Sequence, residues 1–196
     1  MIKSNPIIFT IITIFALQAI LFAGLILFKK PRLKTNIFLA LLVFFYALIP
    51  LNIVLVNVLK DYDLLYIFRY IQMEMLYGIG PVLYFYTKCI TNPKFTLKKK
   101  HYYHFIPFVL EFIFYRTSIY RIGSNGLYLK ELPTYSYVYL TQQWIGVTSI
   151  LVYSIISLGI LAKHQRLLKD YYSKIENLSL RWLQAPIINF AGYFIL

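Results

Sequence analysis

IIFTIITIFALQAILFAGLILF, residues 7–28, runs for 22 residues without a charged side chain. A helix over this stretch would rise about 33 Å, enough to cross the ~30 Å hydrocarbon core of a bilayer. A membrane β-strand needs only about 10 residues and alternates apolar with polar side chains. This stretch does not alternate, and its length fits a helical span. It has no basic leading region and no small-residue cleavage site, so it reads as a helix and not as a signal peptide. Pro6 stands where a first-turn proline is tolerated.

The rest of the chain repeats the pattern. Apolar residues make up 60% of it, charged residues 14%, and mean hydropathy is +0.65. A soluble domain carries roughly 25% charged residues. Further apolar runs cover 37–59, 64–90, 102–115 and 135–162. The terminal run 185–196 would rise only about 18 Å as a helix. The runs are apolar all round, as helices surrounded by lipid or by a large core are. The expected fold is therefore all-α: a polytopic transmembrane helix bundle with five full spans and the start of a sixth. Residues 1–196 are expected to form one membrane-embedded region with no soluble domain.

Charge orders the connections. The net charge is +13, from 20 Lys and Arg against 7 Asp and Glu. Lys29, Lys30, Arg32 and Lys34 follow the first run. The segment from Lys88 to Lys100, at the end of the third run and after it, holds Lys88, Lys94, Lys98, Lys99 and Lys100, and Lys163, Arg166, Lys169, Lys174 and Arg181 follow the fifth. If every run spans once, these fourteen residues share one side. Basic connections stay cytoplasmic, so the expected location is the cytoplasmic membrane, multi-pass, with the amino terminus outside. Positive charge beside apolar runs reads as contact with anionic lipid headgroups, not with nucleic acid. The expected partner is membrane lipid, with homodimer formation also open and no direct binding of nucleic acid by this chain. The basic stretch 163–183 is expected to lie on the inner membrane surface. Tyrosines also gather near run ends, as interfacial rings do: Tyr62 with Tyr66, Tyr102 with Tyr103, and Tyr171 with Tyr172.

Few residues carry chemistry. Glu74 would sit near mid-bilayer in the third run, where a carboxylate needs a partner or water. With Gln72, Gln142 and Gln143 it is a candidate lining of one cavity. A hydrogen-bonded, neutral Glu74 with a purely structural role is the plainer alternative. Gly78, Gly80 and Pro81 predict a helix kink, read either as a hinge or as a packing device. Glu111 is expected to pair with Arg116. His101 and His104 are spaced like two ligands on one helix face, but zinc asks for three or four. No metal, cofactor or catalytic residue is expected, so the chain does not read as an enzyme. The single cysteine, Cys89, reads as a small packing residue.

Two longer stretches carry a resemblance. The first is GIGPVLYFYTKCITNPKFTLKKKHYYHFIPFVL, residues 78–110, with His104, Phe105 and Pro107 in its basic-to-aromatic passage. The second is YYSKIENLSLRWLQ, residues 171–184, with Ser179, Arg181 and Trp182. Both resemble cytoplasmic loop motifs of bacterial membrane-bound regulators. In that family a roughly seven-helix membrane region precedes a cytoplasmic AraC-type helix-turn-helix domain. The resemblance implies the sensory or anchoring region of a one-component transcriptional regulator, truncated before its DNA-binding domain. It brings no ligand or catalytic residue with it. Two alternatives stay open: a small transporter or permease component using an intramembrane Glu, and the membrane region of a sensor histidine kinase.

Overall fold

A computed structural model describes residues 6–31, 33–58, 75–116, 133–171 and 180–193. Among them every regular element is helical. Helix α1 is Pro6–Phe28, α2 is Lys34–Val58 and α3 is Leu76–Thr91. A 3-10 segment, Lys99–Phe105, leads into the short α4, Ile106–Leu110, which continues as a π-helical segment, Glu111–Arg116. Helix α5 is Pro133–Tyr171 and α6 is Arg181–Tyr193. Helix α1 packs on α2, α2 on α3, α3 on α5, and α5 on α6.

Three helices are long and apolar enough to cross a membrane: Pro6–Phe28, Lys34–Leu55 and Leu140–Asp170. They support a membrane location. The expected count of five full spans is not met among the described residues. Of the expected run 64–90, the described part is α3, whose 16 residues rise only about 24 Å. Its apolarity answers to protein neighbours, since twelve of the sixteen residues are buried. The expected run 102–115 is not one α-helix. It passes from 3-10 to α to π geometry around Pro107. The fifth run is longer than its apolar part, because α5 continues as helix to Tyr171. Residues 163–171, expected as surface chain, thus belong to a helix. The last helix starts at Arg181, not at 185, and runs through Pro186.

Helix α1 turns its small residues inward. Ala16 and Ala23 are its buried positions, while Ile7, Phe15, Leu21, Leu25 and Phe28 face outward. Large apolar side chains outside and small ones at the helix contact suit a helix bathed in lipid. Helix α3 is the reverse. Ile79, Val82 and Phe85 are fully buried, and the Phe85 ring stacks between Phe38 and Phe105 at centroid distances of 5.6 Å each.

Close approach explains the glycines. A methyl group at Gly80 would stand 2.6 Å from Tyr153 Cδ2 and 3.1 Å from the Ser149 carbonyl oxygen of α5. One at Gly146 would stand 2.8 Å from Leu76 Cβ. Gly78 is closed in the same way by the Phe45 ring, 2.6 Å away. The described α3 runs through Pro81 as one helix. Gly78 and Gly80 stand where neighbouring groups approach closely. Gly146→Ala should cost about 1–3 kcal/mol, because the atom it meets is itself a Cβ that moves only with its helix. At Gly24 and Gly159 an added methyl group would meet open space. Alanine there should be neutral or stabilising by up to ~1 kcal/mol. Thermal unfolding of the natural protein and the three variants in one detergent checks both expectations.

Candidate functional site

The polar centre of the bundle is built on α5. Gln142 is buried at 6% exposure, and its backbone carbonyl accepts a hydrogen bond from the Tyr77 hydroxyl of α3 at 3.1 Å. Gln142 Nε2 donates to Glu111 Oε1 at 3.2 Å, and Gln143 Nε2 donates to Gln142 Oε1 at 3.2 Å. Glu111 is itself buried. A buried carboxyl without donors is costly, and the carboxamide of Gln142 supplies one. The chain reaches this position through the α4-to-π passage. Pro107 lies in the first turn of α4 and Glu111 opens the π-helical segment.

A second cluster sits at the opposite end of α4. Lys98 and His101 cap the 3-10 segment, with the Lys98 backbone N–H donating to His101 Nδ1 at 3.0 Å. That bond needs an unprotonated Nδ1. His101 is held below the usual histidine range, first by burial, then by the charges of Lys88, Lys100, His104 and Lys98. His104 Nδ1 and the Tyr153 hydroxyl share a hydrogen bond of 2.7 Å. The His104 ring lies against Tyr84 and Phe85, with centroids 5.2 and 5.5 Å away. Lys88 Nζ stands over the Tyr84 ring at 4.6 Å, within cation–π range.

One groove joins the clusters. Two contiguous hollows of about 520 and 620 Å³ share Tyr77, Pro107, Thr141 and Ile145. Glu111 and Gln142 line the first, and His104 and Tyr153 line the second. Gln142 and Tyr153 are eleven residues apart on α5, so the polar ends lie about 16 Å from each other along the helix. The walls between are mostly apolar. Such a groove can hold an elongated, mainly apolar molecule with a hydrogen-bonding group at either end. Among the described residues no group of three or more His, Cys, Asp and Glu could hold a metal ion.

The candidates from sequence divide accordingly. Gln142 and Gln143 are brought together, but with Glu111 and Tyr77. Glu74, Gln72 and Ser179 lie outside the described residues, as does the Arg116 side chain. Gly78, Gly80 and Pro81 line the packed start of α3. His104 and Phe105, expected in a loop, are instead in the 3-10 segment packed on Phe85, with Pro107 in the first turn of α4. The reason is aromatic burial, which a basic flanking sequence hides. Arg181 and Trp182 open α6 and are exposed. Sequence reading missed Tyr77 and Tyr153, because nothing separates them from the chain's other tyrosines, 19 in all. Comparison with known protein families, with curated proteins and with solved structures finds no match to the chain.

Two outcomes follow from the geometry. Gln142→Leu removes a donor from buried Glu111 and should cost about 1–3 kcal/mol in detergent unfolding. Adding Glu111→Leu should recover part of that loss, a coupling that a double-mutant cycle reads. For His101 the sign runs one way. Its folded pKa lies below its unfolded value of about 6.5, so its contribution is complete above that pH and is lost as pH falls through it. The melting temperature should drop between pH 8 and pH 5, and His101→Gln should shrink the drop.

Proposed function

We propose that the chain is the membrane-embedded sensory region of a one-component transcriptional regulator and not an enzyme. The observation that carries this reading is the groove whose polar ends tie three separate elements together. Tyr77 belongs to α3, Glu111 to the π-helical segment and Gln142 to α5. A molecule entering the groove would compete for those hydrogen bonds and shift the 99–116 segment against α3 and α5. A change in helix packing is what a receptor must pass on. The stretches 78–110 and 171–184 lend support through their resemblance to membrane-bound AraC-type regulators. On this reading the basic connections face the cytoplasm and the amino terminus faces outward. A cytoplasmic helix-turn-helix domain is the partner that receives the signal, and a homodimer is the natural unit for binding a two-fold operator.

The test is transcript profiling of the native cell. Strains carrying the natural gene are compared with strains carrying Gln142→Leu or lacking the gene. A defined set of transcripts shared by the two altered strains is the expected result. Transcription untouched by deletion sinks the proposal.

A second reading, a small transporter, is favoured by one observation. The buried carboxyl of Glu111 adjoins a helix interrupted by 3-10 and π geometry, and transporter sites use such interruptions. Solute uptake into proteoliposomes, abolished by Glu111→Gln, would decide for it.

A further inference from the structure

A separate hollow shares no lining residue with the groove just described. It measures about 380 Å³ and lies between α1, α2 and the start of α6. Phe15, Ala16 and Ala19 of α1, Tyr86 of α3, and Trp182, Leu183 and Pro186 of α6 wall it. Along α2 its lining runs from Leu39 to Pro50. Those eleven residues rise about 16 Å, the depth of one leaflet of a ~30 Å hydrocarbon core.

Two walls of the hollow, α2 and α6, each begin at a basic residue. Leu39 is one and a half turns from Lys34, the first residue of α2, and Trp182 directly follows Arg181. Lys29, Lys30, Lys34 and Arg181 are all exposed there. Lys34 Nζ also reaches the Phe95 carbonyl oxygen at 3.3 Å, which ties the start of α2 to the connection after α3. Asp170, at the end of α5, is the acidic residue described at this end. Trp182 is 59% exposed, as an indole at the headgroup level is.

We propose that this hollow is a binding site for an anionic phospholipid. One acyl chain lies along α2 from Leu39 to Pro50, and the headgroup phosphate is held by the cations around Lys30 and Arg181. Depth supplies the fit for the chain, and charge complementarity supplies the choice of headgroup. A neutral lipid has the same chain but lacks the net charge that the basic end selects. The site does not depend on the signalling reading above.

Native mass spectrometry of the full chain in mild detergent tests it, with phosphatidylglycerol and phosphatidylcholine as probes. The natural chain should retain phosphatidylglycerol in clear preference. Ala19→Trp fills the hollow and should lower retention of both lipids at least tenfold. Leu17→Trp, on the same helix but outside the lining, should change nothing. Replacing Lys29, Lys30 and Arg181 with Gln should erode the preference about fivefold per charge and leave phosphatidylcholine unaffected. Val43→Phe fills the hollow from α2 and gives the same answer should Ala19→Trp fail to fold. Equal retention of the two lipids by the natural chain overturns the proposal. So does phosphatidylglycerol retention that survives filling the hollow. A dimer that holds no lipid and is dispersed by Ala19→Trp also overturns it, and assigns the hollow to a second copy.

Discussion

Backbone contact between α3 and α5 at Gly80 and Gly146 is the constraint on which the described bundle depends. Within lipid there is no hydrophobic gain from bringing two apolar helices together, so association rests on dense packing and on hydrogen bonds. At Gly80 a single added carbon would meet both a ring and a carbonyl of α5. At Gly146 it would meet the first side-chain carbon of Leu76. These two approaches bring Tyr77 within reach of the Gln142 carbonyl and Tyr153 within reach of His104.

The side-chain hydrogen bonds that link α5 to α3 and to the 99–116 segment accompany that contact. The Tyr77–Gln142–Glu111 bonds and the His104–Tyr153 bond both bridge α5 to another element. Each satisfies groups that lipid could not. The 99–116 segment is the element they hold in place. Its geometry changes twice in eighteen residues, so its own backbone does not enforce one conformation as strongly as an unbroken helix would. Side-chain bonds at its two ends then have more say over where it lies. This is why the groove, which opens between this segment and α5, is the place where a small molecule would have most leverage on the fold.

The outer surface obeys a different rule. Helix α1 offers lipid a wall of Ile, Leu and Phe, and keeps alanine for its contact with α2. Where the walls of α1, α2 and α6 part, the hollow is as apolar as the surroundings. Of its lining, Trp182 directly follows the exposed Arg181 at the start of α6. The two hollows therefore divide the chemistry: one offers hydrogen bonds from inside the bundle, the other an almost wholly apolar lining.

Sequence alone determined the helical class and the membrane character, because length and apolarity are properties of a stretch and need no neighbour. The uninterrupted run 7–28 became α1 within a residue of its expected limits. It also marked Gln142 and Gln143, since amides in an apolar helix are conspicuous by type. Tertiary structure decided the rest. Whether an apolar run faces lipid or protein cannot be read from its composition, so 64–90 looked like a span while its described part, α3, is a buried centre. Run 102–115 read as one span, and the packing of His104 and Phe105 on Phe85 accompanies the change of helix form found there. The partner of Gln142 was a matter of distance across 31 residues of chain. Glu111 is that partner because the π-helical segment and the close α3–α5 contact bring it there.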